Sequence, residues 1–181
     1  MGFLNLFGCS KPKQSAESPV APEQPNLKTV SYRGGIVRFS IPSNWLEGYE
    51  PEGGGTFYEN RPDSGTLRLN VLSFDGPART AEEIALAAFP QDVGELLPSG
   101  LRLHYYIKSA NEDGEGLDIH HWDIAVPVPP HELRLVCFAH TILAGQQNDP
   151  KIVAELKLLD ESICTAEFSQ QPGVSGFYPQ M

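Results

Sequence analysis

The sequence predicts an α+β domain in which a central antiparallel β-sheet is flanked by helices. Most apolar segments alternate between apolar and polar residues, which is the period of half-buried strands. Only two segments, residues 80–89 and 149–163, combine helical spacing with a capping signal. The last two predicted strands, residues 117–126 and 133–143, are apolar on both sides. A strand of this kind is covered on both faces, so we expect a helix layer on each face of the sheet.

The first half of the domain is predicted to consist of strands. Alternating segments bounded by turn residues place strands at residues 27–32, 36–41, 56–58 and 66–74. The glycines of Arg33-Gly34-Gly35 make a tight turn between the first two strands. Pro42 ends the second strand because proline has no N–H to donate. We interpret residues 50–55 as a loop.

The first predicted helix begins at a capping box. Thr80 can accept a hydrogen bond from the N–H of Glu83, and the Glu83 carboxylate can reach back to the Thr80 N–H. The helix is expected to end near Phe89, because Pro90 disfavours helical geometry in the residue before it. Residues 91–100 match neither the strand nor the helix pattern clearly.

A three-stranded meander and a second helix complete the predicted domain. The meander strands are expected at residues 102–109, 117–126 and 133–143, joined by an acidic turn at 111–116 and a corner containing Pro127, Pro129 and Pro130. Asp149 is expected to cap the second helix, and Pro150 suits its first position, where a missing N–H costs nothing. This helix has a single apolar face, formed by Ile152, Leu156, Leu159 and Ile163.

Composition divides the chain into three parts. Residues 1–26 are an apolar N-terminal segment followed by a linker rich in Pro, Ser and Glu, and linkers of this composition are extended and solvated. Residues 27–168 form the single α+β domain. Residues 169–181 are polar and rich in Gly and Pro, which predicts a flexible C-terminal tail.

The charge of the chain restricts its expected partners. It has 13 basic and 23 acidic residues, for a formal net charge of −10. Such an anion repels phosphate backbones, and no basic stripe overrides the repulsion, so we do not expect nucleic acid as a partner. No apolar run approaches the roughly 20 residues of a membrane-spanning helix, so no transmembrane segment is predicted. We expect the partner to be another protein.

The N-terminal segment has two interpretations. In the first, the run from Leu6 to Cys9 is the end of a lipoprotein signal, Cys9 is the lipidation site, and the protein is tethered to a membrane. In the second, the protein is cytoplasmic, and the apolar residues within 3–7 contact their own domain or a partner. We favour the second, because no Lys or Arg precedes the apolar segment and Asn5 interrupts it.

The stretch FSIPSNW carries a resemblance to a known family. Its Phe39, Pro42 and Trp45 form the pattern Phe-x-x-Pro-x-x-Trp at the end of a strand, and this pattern opens the order of elements given above. The arrangement resembles the PsbP-like and DcrB-like α/β/α sandwich family over roughly residues 30–168. That family includes photosystem II extrinsic subunits, a nuclear-import factor that binds the GTPase Ran, envelope lipoproteins and small bacterial chaperones. The resemblance implies a non-catalytic protein that presents a surface to other macromolecules.

Trp45 and a glycine-rich loop are the candidate contacts for a partner. Pro42 turns the chain over the sheet edge, so Trp45 can fold back on the rim of the core. The alternative is an exposed Trp45 that anchors a partner. Gly53, Gly54 and Gly55 lack the Lys-Ser/Thr of a phosphate loop, and we interpret them as a mobile surface loop at a binding edge.

The histidines and cysteines predict no catalytic, metal or cofactor site. A two-residue corner near residue 130 would place His120 opposite His140, but two ligands are too few for a metal. His121 and Asp123 would lie near either His104 or the tyrosine after it, without an activated nucleophile. The cysteines have neither the spacing of a zinc site nor that of a disulfide framework.

We therefore expect a non-catalytic protein-binding module without a cofactor, such as a bacterial adaptor, chaperone or immunity-type partner. The alternative is an envelope lipoprotein anchored through Cys9, with a structural or assembly role. A third interpretation is a small hydrolase or metal enzyme built on His104, His121 and Asp123.

Overall fold

The structure, a computed structural model, describes residues 26–76, 79–89 and 93–171. Cys9 and the rest of the N-terminal segment therefore lie outside the described residues. In chain order the elements are β1 (Leu27–Tyr32), β2 (Val37–Pro42), β3 (Trp45–Tyr49), β4 (Gly55–Glu59), β5 (Thr66–Asp75), α1 (Ala81–Ala88), β6 (Glu95–Leu96), β7 (Arg102–Glu112), β8 (Glu115–Val128), β9 (Glu132–Leu143), a 3-10 turn (Gln146–Asn148), α2 (Pro150–Cys164) and β10 (Glu167–Phe168). Within these ranges neither helix is long and apolar enough to cross a membrane.

The strands form two antiparallel sheets. The large sheet has seven strands in the order β3-β4-β5-β9-β8-β7-β6, and the small sheet has three in the order β1-β2-β10. The small sheet and α2 pack on one face of the large sheet, which we call the inner face, and α1 packs on the opposite, outer face. The predicted α+β architecture, a central antiparallel sheet flanked by helices, is confirmed.

The first hairpin lies outside the large sheet. Only Ser43 and Asn44 separate β2 from β3, so the chain turns sharply after Pro42 and β3 becomes the edge strand of the large sheet. The sequence pattern does not predict β3, because Trp45 is its single buried residue and Gly48 interrupts any alternation of apolar side chains. The neighbouring β1–β2 hairpin then folds over the inner face.

The inner face carries the main core of the domain. Phe39 of the small sheet packs edge-on against Phe57 and Phe138 of the large sheet, with ring centroids 5.3 and 5.0 Å apart. From α2, Leu159 and Ile163 are fully buried in the same cluster. The predicted apolar face of this helix is therefore directed into the core, and the inner face is closed to solvent at its centre.

Helix α2 also replaces a missing strand at the edge of the small sheet. The backbone N–H of Ser40 donates to the Ser162 hydroxyl at 2.8 Å, and that hydroxyl donates to the Ser40 carbonyl at 2.6 Å. Strand β10 pairs only with Val37 and Arg38. The Ser162 hydroxyl thus gives a hydrogen-bond partner to both the N–H and the C=O of Ser40, which lies beyond the end of the short β10. Without this hydroxyl, the two backbone groups would be left unpaired at a buried edge.

The outer face is covered only in part. Helix α1 has eight residues and is therefore about 12 Å long. Its Ala85 and the adjoining Phe89 pack against Ala125 and Leu133, which lie at one end of the sheet. The remainder of the outer face, between β5 and β7, consists of half-buried and exposed residues.

The local turn and capping signals in the sequence are confirmed. The Glu83 N–H donates to the Thr80 hydroxyl, and the Glu83 carboxylate accepts from the Thr80 N–H. Asp149 caps α2 by accepting from the Lys151 N–H at 2.8 Å, with Pro150 at the first position. These caps explain why both helices begin where the sequence pattern predicts.

Candidate functional site

Trp45 lies inside the protein rather than on its surface. Only 3% of the residue is exposed, and its indole stacks on the His140 ring with centroids 6.2 Å apart. This placement agrees with the interpretation that Pro42 turns the chain so that Trp45 closes the rim of the core. A contact between Trp45 and a partner stays a prediction, and it would require the indole to leave this position.

The glycine-rich loop is attached to the first hairpin. The Gly54 N–H donates to the Tyr32 hydroxyl at 2.8 Å, and the Arg33 guanidinium occupies the space that a side chain at Gly53 would need. Gly53 and Gly54 have φ angles of 104° and 123°, a region that favours glycine. Gly54 and Gly55 are buried, so only part of the loop is open to a partner. The predicted partner contact at Gly53, Gly54 and Gly55 stays a prediction.

The strand register brings a polar cluster together on the outer face. His104 pairs with Asp123, and Tyr106 pairs with His121, across β7 and β8. Asp123 also pairs with Cys137 across β8 and β9. Paired residues of antiparallel strands share a face, so these five side chains lie side by side. Of the two neighbours that the sequence leaves open for His121 and Asp123, the register selects His104.

Four aromatic rings form a continuous row on the outer face, from Phe89 at the end of α1, through two residues of β7, to His121 on β8. Phe89, His104, Tyr106 and His121 follow one another with centroid separations of 5.7, 4.8 and 4.6 Å. The last pair is stacked, with planes 10° apart. The Lys108 ammonium lies 5.1 Å from the centre of the Tyr106 ring. We call these four rings the aromatic row; their faces and edges offer apolar contact area together with polar atoms.

Asp123 is the polar centre of the outer face. Its Oδ2 accepts a hydrogen bond from the Tyr106 hydroxyl at 3.0 Å, and Cys137 faces it across β8 and β9. Its Oδ1 is buried and has no hydrogen-bond partner among the described residues. A buried carboxylate oxygen without a partner costs free energy, so a donor from a bound molecule would stabilise this site.

Burial governs the protonation of the groups around Asp123. It is the largest cause that raises the pKa of Tyr106 to about 12, followed by the charge of Asp123. Burial also raises the pKa of Cys137 to about 12, with the charge of Asp123 as the second cause. Burial lowers the pKa of His121. At neutral pH the phenol and the thiol are therefore protonated and the imidazole is neutral.

This protonation pattern is suited to hydrogen bonding rather than to nucleophilic attack. A catalytic cysteine needs a lowered pKa, which a positively charged neighbour supplies, whereas Cys137 has a carboxylate beside it. Across residues 26–76, 79–89 and 93–171, no three His, Cys, Asp or Glu side chains are arranged to hold a metal ion. The cluster can donate and accept hydrogen bonds on a surface that is partly apolar.

The charge of the outer face differs from that of the whole chain. Arg68, Arg102 and Lys108 share this face, and Asp123 is the acidic side chain between them. Among the described strand residues of this face, the other acidic side chains are Glu112 and Glu115 at the tip of the β7–β8 hairpin, and α1 carries Glu82 and Glu83. Apart from the hairpin tip and α1, the strands between β5 and β7 thus carry three basic side chains and one acidic side chain on this face, although the chain carries a net charge of −10.

The histidines of the inner face form a separate, buried group. His120 and His140 pair across β8 and β9 as predicted, although the corner that joins the two strands has three residues, 129–131, and not two. The Tyr105 hydroxyl lies 2.7 Å from His120 Nδ1. His140 Nε2 lies 2.9 Å from Glu155 Oε1, but the two atoms are not aligned as a hydrogen bond. These histidines are deeply buried rather than at the wet ends of the sheet, because α2 and β3 cover them.

Part of this site was accessible to sequence reasoning. The two-residue turn at Asp113 and Gly114 determines which residues of β7 and β8 face each other, and it places Tyr106 opposite His121. Cys137 was not predicted as part of this cluster, although its position opposite Asp123 follows from the same β8–β9 register that places His120 opposite His140. Glu155 was not predicted either, since α2 reaches His140 only through tertiary packing.

Comparisons with known proteins identify similar structures but no similar family model or curated sequence. No protein-family model matches the chain, and no curated protein sequence is significantly similar to it. A Bacteroides thetaiotaomicron protein matches with a TM-score of 0.52 and 21% identity over 78% of this chain, which corresponds to 48% of that protein. LpqN, described as involved in cell envelope biogenesis of Mycobacterium tuberculosis, matches with a TM-score of 0.53 and 12% identity, over 76% of this chain and 88% of LpqN.

A third similar structure is the cyanobacterial PsbP (CyanoP) from Synechocystis sp. PCC 6803. Its TM-score is 0.36 at 14% identity, and the match covers 85% of this chain and 99% of CyanoP. LpqN has a PsbP-like fold, and this chain has that fold as well. The resemblance carried by Phe39, Pro42 and Trp45 is confirmed at the level of the fold.

Proposed function

We propose that this protein is a non-catalytic binding module that docks an acidic, partly apolar segment of another protein on its outer face. The observation that carries the proposal is the partial coverage of this face by α1. Leu72 and Phe74 are 49% and 48% exposed there, beside the half-buried Leu135 that pairs with Leu72. Exposed apolar side chains that are contiguous and rimmed by polar groups are typical of protein-binding surfaces.

The charge of the outer face supports an acidic partner segment. Arg68, Arg102 and Lys108 lie on the same face of the sheet as the apolar side chains, and complementary charge directs association and suppresses wrong partners. The net charge of −10 by itself would suit a basic partner. We give the local charge more weight, because screening confines electrostatic interactions to about 8 Å at physiological salt.

The chemistry of the cluster supports a binding role over an enzymatic one. Tyr106 and Cys137 are protonated at neutral pH, and His121 is neutral, so none of them is an activated nucleophile. The site is also an open sheet face and not a water-excluding cavity, where electrostatic stabilisation of a transition state would be strongest. Turnover of a substrate that depends on His121 would contradict this part of the proposal.

The cellular role we propose is that of a bacterial adaptor, chaperone or immunity-type partner in the cytoplasm. The second candidate is an envelope lipoprotein anchored through Cys9, and the sequence Leu6-Phe7-Gly8-Cys9 is the feature that favours it. Mass spectrometry of the native N-terminus separates the two roles. A free, unmodified Cys9 supports the cytoplasmic role, and a lipid-modified Cys9 supports the anchored one.

The docking proposal is tested by capturing partners with the tagged full-length chain from its native cells. Leu72→Asp introduces a like charge where the acidic segment should bind, so it should remove the captured partner. The matched control is Val153→Asp on α2, because Val153 is also 49% exposed but lies far from the outer face. Arg68→Glu should weaken capture, whereas Arg38→Glu on the small sheet should leave it unchanged.

Two further results decide the outcome. The partner should contain an acidic segment with apolar side chains, and its binding to the purified chain should weaken as the salt concentration rises. Equal capture by Leu72→Asp and by Val153→Asp would overturn the outer face as the docking site. A partner that binds more tightly to Arg68→Glu would overturn the proposed charge of the segment.

A further inference from the structure

The second half of the edge strand β7 is unpaired on its outer side. Strand β6 pairs only with Arg102 and Leu103, whereas β7 continues to Glu112. Within the described part of the chain, no strand pairs with this edge after Leu103. Residues 107–112 are all exposed, and Ile107 lies four residues beyond Leu103, which is about 13 Å along the strand. A short segment that pairs with residues 107–112 therefore does not meet β6.

The hairpin turn identifies the backbone groups that point outward. Asp113 and Gly114 have φ angles of 52° and 88°, as in the type I′ turn of a two-residue hairpin. The residues that flank such a turn exchange both backbone hydrogen bonds, and this pattern then alternates along the ladder, so the even-numbered residues of β7 bond to β8. The Leu101 carbonyl agrees with this alternation, because it accepts from the Leu97 N–H on the outer side at 2.8 Å. In the unpaired half, the residues that direct their N–H and C=O groups outward are Ile107, Ser109 and Asn111.

The two edges of the large sheet differ in their protection. At β3, the Lys28 ammonium donates to the Trp45 carbonyl at 2.6 Å and pairs with Glu47 at 2.8 Å, so a side chain already bonds a backbone group there. Strand β7 has no proline, and its register with β8 continues without a bulge. The Lys108 ammonium lies over the Tyr106 ring on the outer face rather than across the edge. Among the described residues, the backbone of this half of β7 is therefore free to pair with an added strand.

The side chains of residues 107–112 determine the chemistry of a strand that fits this edge. Ile107 is 53% exposed, on the side of the strand toward the inner face. Lys108 and Glu112 lie on the outer side, four residues apart, and they are the only charged residues in this range. Opposite charges that face each other across two strands stabilise the pairing, and like charges oppose it. A matching strand therefore has an apolar residue opposite Ile107, an acidic residue opposite Lys108 and a basic residue opposite Glu112.

We propose that residues 107–112 of β7 bind an extended peptide segment of another protein as an added antiparallel strand. The segment has a basic residue and, four residues later, an acidic residue that is followed by an apolar one. Residues 107, 109 and 111 each exchange two backbone hydrogen bonds with it, or about six in all. The order of the charges selects the direction, because a parallel strand would need the acidic residue first and would pair slightly less stably.

This inference goes beyond the docking proposal and rests on a different observation. Docking uses side chains such as Leu72 on β5, whereas strand addition uses the backbone of β7, and β9 and β8 lie between the two strands. Leu72→Asp should therefore leave strand addition unchanged. Ile107→Pro should impair strand addition and leave docking unchanged, because it removes an outward N–H of the edge and residue 107 faces the inner side. The two proposals can thus fail separately.

The first experiment titrates the full chain into a fluorescent, end-capped peptide, Lys-Thr-Thr-Ile-Glu-Val-Thr, and follows the fluorescence anisotropy. The lysine, glutamate and valine of the peptide are placed to face Glu112, Lys108 and Ile107. Methylation of the valine nitrogen removes the N–H that would donate to the Ile107 carbonyl, so it should weaken binding about 2- to 10-fold. Methylation of the glutamate nitrogen is the matched control, because that N–H points away from β7, and it should leave the affinity unchanged.

The second experiment tests the register by exchanging charges. Lys108→Glu should weaken binding of this peptide by up to about fivefold, and it should strengthen binding of the peptide in which lysine replaces the glutamate. Arg38→Glu on the small sheet is the control, because it makes the same change of charge away from β7 and should leave both affinities unchanged. Circular dichroism of Lys108→Glu and Ile107→Pro verifies that the variants are folded.

Three results would overturn the proposal. Absence of saturable binding up to about 1 mM peptide would show that the edge does not capture an extended segment. Equal weakening by the two methylated peptides would show that the backbone of β7 does not pair in this register. Light scattering examines the other occupant: a chain that dimerises without peptide and dissociates when the peptide is added would show that a second copy occupies the edge.

Discussion

The indole of Trp45 stacks on the imidazole of His140, with ring centroids 6.2 Å apart and planes 16° apart. This pair joins β3, at the edge of the large sheet, to β9 at its centre, and Glu155 of α2 lies 2.9 Å from the same imidazole. The sharp turn after Pro42 is what brings Trp45 over the ring. The contact therefore connects the Phe-x-x-Pro-x-x-Trp pattern of the sequence to the packing of the core.

Truncation of Trp45 should destabilise the domain strongly. Trp45→Ala removes a buried aromatic side chain and leaves a cavity beside His140, so it should lower the free energy of unfolding by about 3 kcal/mol or more. Trp45→Phe keeps an aromatic ring and should lose less. Chemical denaturation of the variants measures both values. Unchanged stability of Trp45→Ala would show that the indole does not close the core.

Gly65 should not tolerate a side chain. A Cβ at this position would collide with the His140 ring and come within 2.9 Å of Glu155 Oε1. Gly65→Ala should therefore cost about 1–3 kcal/mol, as overpacking of a core does. The control is Gly48→Ala in β3, where the nearest atom would be 3.9 Å away. If the two variants melt at the same temperature, the packing around His140 is looser than the structure shows.

The stability of the domain should fall on mild acidification. Burial, followed by the charge of His140, lowers the pKa of His120 below its ordinary value of 6.5, and burial lowers the pKa of His121 as well. The unfolded chain therefore binds more protons than the folded chain once the pH falls below about 6.5. The free energy of unfolding should be level above that pH and decrease below it, by at most about 1.4 kcal/mol per pH unit for each histidine.

The measurement for this prediction is urea denaturation at several pH values between 7 and 5, a range in which few carboxylates titrate. His120→Gln should reduce the slope, because it removes one of the two groups with a lowered pKa. A free energy of unfolding that rises as the pH falls would mean that the folded state binds the additional protons, opposite to the expected sign.

Cys137 should react slowly with alkylating reagents in the folded protein. Its pKa is raised to about 12, mainly by burial, from an ordinary value of 9.0. The reactive thiolate should therefore be ~10³-fold scarcer than in the unfolded chain at the same pH. Mass spectrometry can follow iodoacetamide labelling of Cys137 with and without urea. Because burial is the largest cause, Asp123→Asn should leave the folded thiol slow, and rapid labelling of the folded chain would instead indicate an activated cysteine.

Many local features of the fold were predictable because they depend on residues close in sequence. The Thr80 and Glu83 capping box and the Asp149 cap need only a few neighbouring residues to form. The pairing of His120 with His140 depends on the length of the corner between two strands, which has three residues, 129–131; a two-residue corner would have placed His120 opposite residue 139 or 141. The sequence by itself thus determined the helices and the meander strands, whereas it left open whether His104 or Tyr105 lies beside His121 and Asp123.

Only the tertiary structure decided which surfaces remain open. The separation of the first hairpin from the large sheet, the strand at Trp45–Tyr49 and the contact of Glu155 with His140 all join parts of the chain that are distant in sequence. Likewise, an apolar alternation shows that a strand has a buried side, but it does not show how far an eight-residue α1 extends over that side. The outer face and the open edge of β7 are uncovered because no described helix or strand packs fully against them. Local sequence patterns do not predict which distant elements will pack together.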